Sequence, residues 1–129
     1  MIRKNLLAFV AGACLTCTTS AQAPFDKFQY DLKVQRAGLD AELCYLDHPS
    51  DFEECLSKPL AVMQGHYKDF GKLVKGKEKR ELLKSHYIAL VSQMKGVEPE
   101  SSELKIVYQR RQSELKRRTK EAWMQFDLD

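Results

Sequence analysis

The chain has none of the arrangements that mark a familiar enzyme. There is no Gly-x-Ser-x-Gly elbow to activate a serine, no His-Glu-x-x-His pair to hold a catalytic zinc and no glycine loop to cradle phosphates. Cys-x-x-Cys-His is also absent, which excludes a helical bundle with covalently attached haem. No run alternates with period two over more than a few residues, and Asn-Gly and Asp-Gly are missing, so β-hairpins are not expected. Repeats and low-complexity segments are lacking too. What remains is a chain of 129 residues, 43% hydrophobic and 30% charged, enough for one domain. The expectation is a protein that is not an enzyme and needs no cofactor.

No apolar run is long enough to span a bilayer. The longest, Leu6 to Leu15, is about half of the ~20 residues required. It follows Arg3 and Lys4 and precedes a small and polar stretch ending Ala21-Gln22-Ala23. A basic start, a short apolar middle and small residues at the end are the layout of a secretory signal peptide. The expected division is therefore residues 1–23 as a cleaved signal peptide and residues 24–129 as the folded domain. Pro24 disfavours cutting after Ala23, and cutting after Ala21 avoids it. An alternative is lipid attachment at Cys14, since Val10-Ala11-Gly12-Ala13-Cys14 is similar to a bacterial lipobox. Cys14-Leu-Thr-Cys17 has redox or zinc spacing but lies at the apolar run, without the packed setting a redox pair needs. The expected location is the periplasm or the exterior.

A strong charge imbalance is absent as well. The formal +3 includes Arg3 and Lys4; without them 19 basic side chains stand against 18 acidic ones, and net charge predicts no nucleic-acid binding. Charge is instead segregated. Asp40, Glu42, Asp47, Asp51, Glu53 and Glu54 occupy a stretch with no lysine or arginine, whereas Lys68 to Lys84 and Glu103 to Glu121 are each rich in bases.

Periodicity and caps predict helix throughout the folded part. The first segment covers about Asp26 to Leu46, with Phe28, Leu32, Leu39, Leu43 and Leu46 as its inward face, and ends at Asp47-His48-Pro49. The second begins at Ser50, where Ser50 and Glu53 have capping-box spacing. Its stripe runs Phe52, Leu56, Leu60, Met63, Tyr67, Phe70 and Val74, and Pro59 predicts a kink or a restart after Ser57. The third covers Lys77 to Lys95, closed by Gly96. The fourth is expected to start at Pro99 and reach about Phe126. Its apolar stripe is thin, with Leu115 the only strong hydrophobe between Gln109 and Glu121, so its middle should lie partly exposed. Short connections favour antiparallel neighbours, and the expected fold is all-α, an up-and-down bundle of about four helices. The heptapeptide Lys120-Glu-Ala-Trp-Met-Gln-Phe126 resembles the closing helix of small helical lysozyme-inhibitor-like periplasmic proteins; the cysteine that usually follows the aromatic is missing, and nothing about function is carried over.

The segment Cys44-Tyr-Leu-Asp-His-Pro-Ser-Asp-Phe-Glu-Glu-Cys55 joins the first two helices with a cysteine on each arm. An antiparallel pair brings such positions within the ~5.5 Å Cα separation of a disulfide, and in an oxidising compartment Cys44–Cys55 is the expected staple. A competing reading uses Cys44, His48 and Cys55 as metal ligands, with His66 as a fourth. Two surfaces stand out as candidate contacts. Arg110, Arg111, Arg117 and Arg118 could face an anionic surface, and Asp47, Asp51, Glu53 and Glu54 a cationic one. A solvated helix face is the plainer account of both. The expected function is that of a non-catalytic interaction protein of the bacterial envelope, an inhibitor, immunity or adaptor type, which binds an unidentified protein partner through charged surfaces. The alternatives are a metal carrier and a lipoprotein anchored at Cys14.

Overall fold

The computed structural model describes residues 24–128; the expected signal peptide, Cys14 and Cys17 lie outside them. The described residues form four helices, α1 (Lys27–Asp47), α2 (Phe52–Gly71), α3 (Lys77–Lys95) and α4 (Lys105–Leu128), with a 3₁₀ turn at Pro49–Asp51 between α1 and α2. There is no strand among the described residues. The helices run up and down, as the short connections require. Two tight hairpins, α1–α2 and α3–α4, meet through a lighter seam of α2 and α1 with α3, and α1 meets α4 chiefly at one end, where Lys27 pairs with Asp127 and Tyr30 stacks near Trp123.

Each end of the bundle is closed by different chemistry. At one end the Cys44–Cys55 disulfide joins α1 to α2, with a Cα separation of 5.7 Å. Both sulfurs are consumed in this bond, so the Cys44, His48 and Cys55 metal set is left without thiolates. Phe52 is buried beside it and meets Tyr45 edge-on at 6.0 Å. At the other end rings from all four helices converge. Tyr30 of α1 lies 5.5 Å from Phe70 of α2, 6.1 Å from His86 of α3 and 6.2 Å from Trp123 of α4. Phe126 completes the cluster, 5.5 Å from Trp123 and 5.3 Å from Phe25. Lys79 donates to the Phe126 carbonyl, which satisfies one of the open acceptors at the end of α4.

The phase of α1 differs from the sequence expectation. Tyr30, Val34, Ala37, Ala41 and Cys44 are its buried face, whereas Phe28, Leu32, Leu39, Leu43 and Leu46 are all exposed. With 3.6 residues per turn the two stripes lie about 180° apart. The disulfide explains the choice, because Cys44 must point at α2 and Ala41, Ala37, Val34 and Tyr30 share its phase. The alanines also allow a close approach of neighbouring helices that leucines would prevent.

Three boundaries shift. The Ser50–Glu53 capping box does not form: α2 starts at Phe52 after the 3₁₀ turn, and its N-cap Asp51 makes no side-chain hydrogen bond. Pro59 neither restarts nor ends α2; it is buried within a continuous helix. Pro99 precedes α4 by six residues instead of opening it. The connection Val97–Leu104 turns through Ser102, whose φ is 64°, and Glu103 accepts from the Glu100 backbone N–H at 2.9 Å. Gly96 does follow α3, but with φ −82°, so it is not a left-handed cap. Its lack of a side chain serves α4: a Cβ there would come within 2.5 Å of Leu115 Cδ1.

Candidate functional site: an open groove between the first and last helices

In a closed four-helix bundle each helix packs on two neighbours. Here α1 and α4 stand apart beyond the Lys27–Asp127 ion pair, and a groove runs between them over α3. Its part toward the aromatic end is a cavity of about 410 Å³, within the ~300–1,000 Å³ typical of ligand sites. Val34, Leu90, Met94, Val97 and Trp123 give it an apolar floor. Toward the disulfide end it continues into a second depression of about 470 Å³, flanked by Tyr45, Leu46, Tyr108 and Gln112. The two share Glu42, Gln93, Val97 and Lys116 and so form one channel. From Asp31 to Leu46 along α1 it is ~22 Å long at 1.5 Å per residue.

The walls carry opposite charge. Asp31 and Glu42 line the α1 side, Lys116 and Lys120 the α4 side. None of these four charges is in an ion pair among the described residues. Asp31 instead accepts from Gln35 Nε2 at 2.8 Å. Gln35, Gln93 and Thr119 add neutral polar groups. Gly38 thins the α1 wall, and a Cβ at that position would meet nothing within 4 Å.

At the head of the groove two polar groups are buried without a hydrogen-bond partner, the Tyr30 hydroxyl and His86 Nδ1. Burial disfavours the charged form of each. It pushes the Tyr30 phenol well above its usual range, helped by Tyr67, Tyr87 and Asp31, and lowers His86 to about 4. His86 is therefore a neutral imidazole at neutral pH, with its ring 4.8 Å from Trp123.

The four arginines singled out in the sequence are engaged in different ways. Arg111 is folded onto the α3–α4 connection: Nε and Nη2 donate to the Glu103 carboxylate at 3.0 and 2.8 Å, and Nη1 donates to the Gly96 carbonyl at 3.0 Å. Arg117 pairs with Glu114 and Glu121, and Arg118 with Glu114, all on α4 itself. Arg110 sits on the outer surface of α4 beside Ser113 and Glu114. Asp47, Asp51, Glu53 and Glu54 surround the turn at the disulfide end and are exposed, with Asp51 3.5 Å from His48 Nδ1. The residues that do converge are Asp31, Glu42, Lys116 and Lys120 across the groove; Glu42 belongs to the acidic stretch and the two lysines to a basic one, but none was among the candidate contacts. Their signal was the thin apolar stripe of α4: a helix with one strong hydrophobe in its middle cannot close against α1. The chain matches no family model, no curated protein and no solved structure.

Proposed function

We propose that the protein is a non-catalytic binding module that takes a helical segment of a partner protein into the α1–α4 groove. The observation that supports this reading is the groove itself, an apolar floor between walls whose acidic and basic side chains are in no ion pair among the described residues. An amphipathic helix fits such a site: its apolar positions cover the floor, and its flanking charges meet Lys116 and Lys120 on one side and Asp31 and Glu42 on the other. A channel ~22 Å long matches about fifteen helical residues. Charge of both signs favours one orientation of the ligand and speeds encounter more than it strengthens the complex. Export to an oxidising compartment of a bacterial envelope belongs to the same proposal; the disulfide and the signal-peptide layout of the first residues support it.

Trp123 is the only tryptophan and lies on the groove floor, so its emission reports occupancy. A library of amphipathic helical peptides, selected on the disulfide-bonded protein, should yield binders that shift Trp123 emission. Gly38→Phe, which fills the groove from its open α1 wall, should abolish their binding without unfolding the protein. Binders that ignore Gly38→Phe, or that leave Trp123 unperturbed, would place recognition elsewhere.

A further inference from the structure

The outer face of α1 is a second apolar surface that the bundle does not use. Phe28, Leu32, Leu39, Leu43 and Leu46 are each more than half exposed, from 52% for Leu43 to 71% for Leu46. Scattered hydrophobes on a surface are ordinary, but five along one stripe of a single helix are a mark of an interaction site. With Gln35 the stripe runs Phe28, Leu32, Gln35, Leu39, Glu42 and Leu46 at gaps of four, three, four, three and four, with Leu43 beside Glu42. That is the spacing of a coiled-coil seam.

From the stripe and its charges we infer that α1 pairs antiparallel with α1 of a second copy of the chain. The spacing reads the same in both directions about Ala37. Reversal sets Phe28 against Leu46, Leu32 against Glu42 and Leu43, and Gln35 against Leu39. The charges break the tie between parallel and antiparallel. The first half of α1 carries Lys27, Lys33 and Arg36 against Asp31, whereas the second carries Asp40, Glu42 and Asp47 and no base. Only the antiparallel pair puts the basic half on the acidic one, Arg36 coming beside Asp40 of the other copy on the same flank of the seam, while Lys27 is engaged by Asp127 of its own chain; a parallel pair stacks like on like. A seam of one 21-residue helix, ~30 Å long, covers less than the ~800 Å² per partner of a standard interface. The dimer is therefore reversible, with a Kd on the order of 1–100 µM. Gln35, Leu39, Glu42 and Leu46 also border the groove, so the second copy's helix would stand along its α1 rim.

Leu32 and Leu43 do not line the groove, which separates this test from that of the binding reading. Sedimentation of the disulfide-bonded protein should show a reversible monomer–dimer equilibrium. Leu32→Lys and Leu43→Glu should each weaken it at least tenfold, and an equimolar mixture of the two should recover dimer, because antiparallel pairing joins the new lysine to the new glutamate. A variant whose thermal transition shows loss of fold is replaced by glutamine at the same position. The inference is overturned if the parent protein remains monomeric at ~500 µM, well above that range. It is equally overturned if the single variants dimerise like the parent, or if the mixture associates no better than either variant alone.

Discussion

Glu103 and Arg111 face each other side on, two parallel hydrogen bonds of 3.0 and 2.8 Å joining carboxylate to guanidinium across the α3–α4 connection. The same arginine reaches the Gly96 and Glu98 carbonyls, so one side chain holds three residues of a turn that has no regular structure. Its hydrogen bonds pull the Glu103 carboxyl down to about 2, helped by the Glu100 backbone N–H. A carboxyl held below its unfolded value adds stability that is complete above that value, near 4.5, and is lost as pH falls toward 2. Glu103→Gln should therefore lower the melting temperature at neutral pH, and the gap from the parent protein should close on acidification through this window. Thermal unfolding at stepped pH measures it; a gap independent of pH would mean that the carboxylate charge plays no part.

The disulfide closes a short loop, Cys44 and Cys55 being 11 residues apart. Constraint of the unfolded chain by a loop of this size contributes about 3 kcal/mol. Replacing both cysteines with alanine should lower the melting temperature by roughly 10–25 °C, at about 4–8 °C per kcal/mol for a domain of this size. Far-ultraviolet dichroism of the reduced and the doubly substituted protein gives the comparison, and both should remain helical at low temperature.

The disulfide also marks what the sequence could and could not reveal about the fold. Helix number, order and the staple follow from periodicity, from the punctuation at Pro49, Gly76 and Gly96, and from the paired cysteines. The phase of α1 does not follow from hydrophobicity, because that helix has two apolar faces and the one with larger side chains is outside. Cys44 carried the missing information: requiring it to face Cys55 selects Tyr30, Val34, Ala37 and Ala41 as the core. The groove was visible only as a deficit, the lack of hydrophobes between Gln109 and Glu121 apart from Leu115. Which charges converge there depends on α1 and α4 meeting at the aromatic end and diverging beyond it. Local composition does not encode that.

Two glycines give opposite predictions. Gly38 is within α1, and a Cβ there would have nothing within 4 Å. Gly38→Ala should stabilise the protein by about 0.5–1 kcal/mol, since alanine loses less conformational freedom on entering a helix. Gly96 is at the end of α3, where a Cβ would press on Leu115 and lie 3.0 Å from Arg111 Nη1. Gly96→Ala should destabilise by about 1–3 kcal/mol, as expected of overpacking, because Leu115 has to move and the bond from Arg111 to the Gly96 carbonyl moves with it. Urea denaturation separates the two by sign.

His86 sets the stability of the aromatic end near neutral pH. It is almost fully buried, 2% exposed, and its Nδ1 has no partner. Burial alone lowers it to about 4, so the folded protein resists a proton that the unfolded chain accepts at about 6.5. Between these values the unfolded state binds more protons, and stability must fall as pH falls, by up to about 3 kcal/mol at pH 4. His86→Phe removes the titrating group and keeps an aromatic ring against Tyr30 and Trp123. It should flatten the pH dependence between about 6.5 and 4 and leave the steeper acid loss from carboxylates such as Glu103. Trp123, 4.8 Å from the imidazole, supplies the readout: its emission should change with protonation of His86 in the parent protein and not in the variant. A parent protein whose stability is level from pH 7 to about 4.5 would show that the imidazole has reached water, and the ring cluster would then have to be open at the head of the groove.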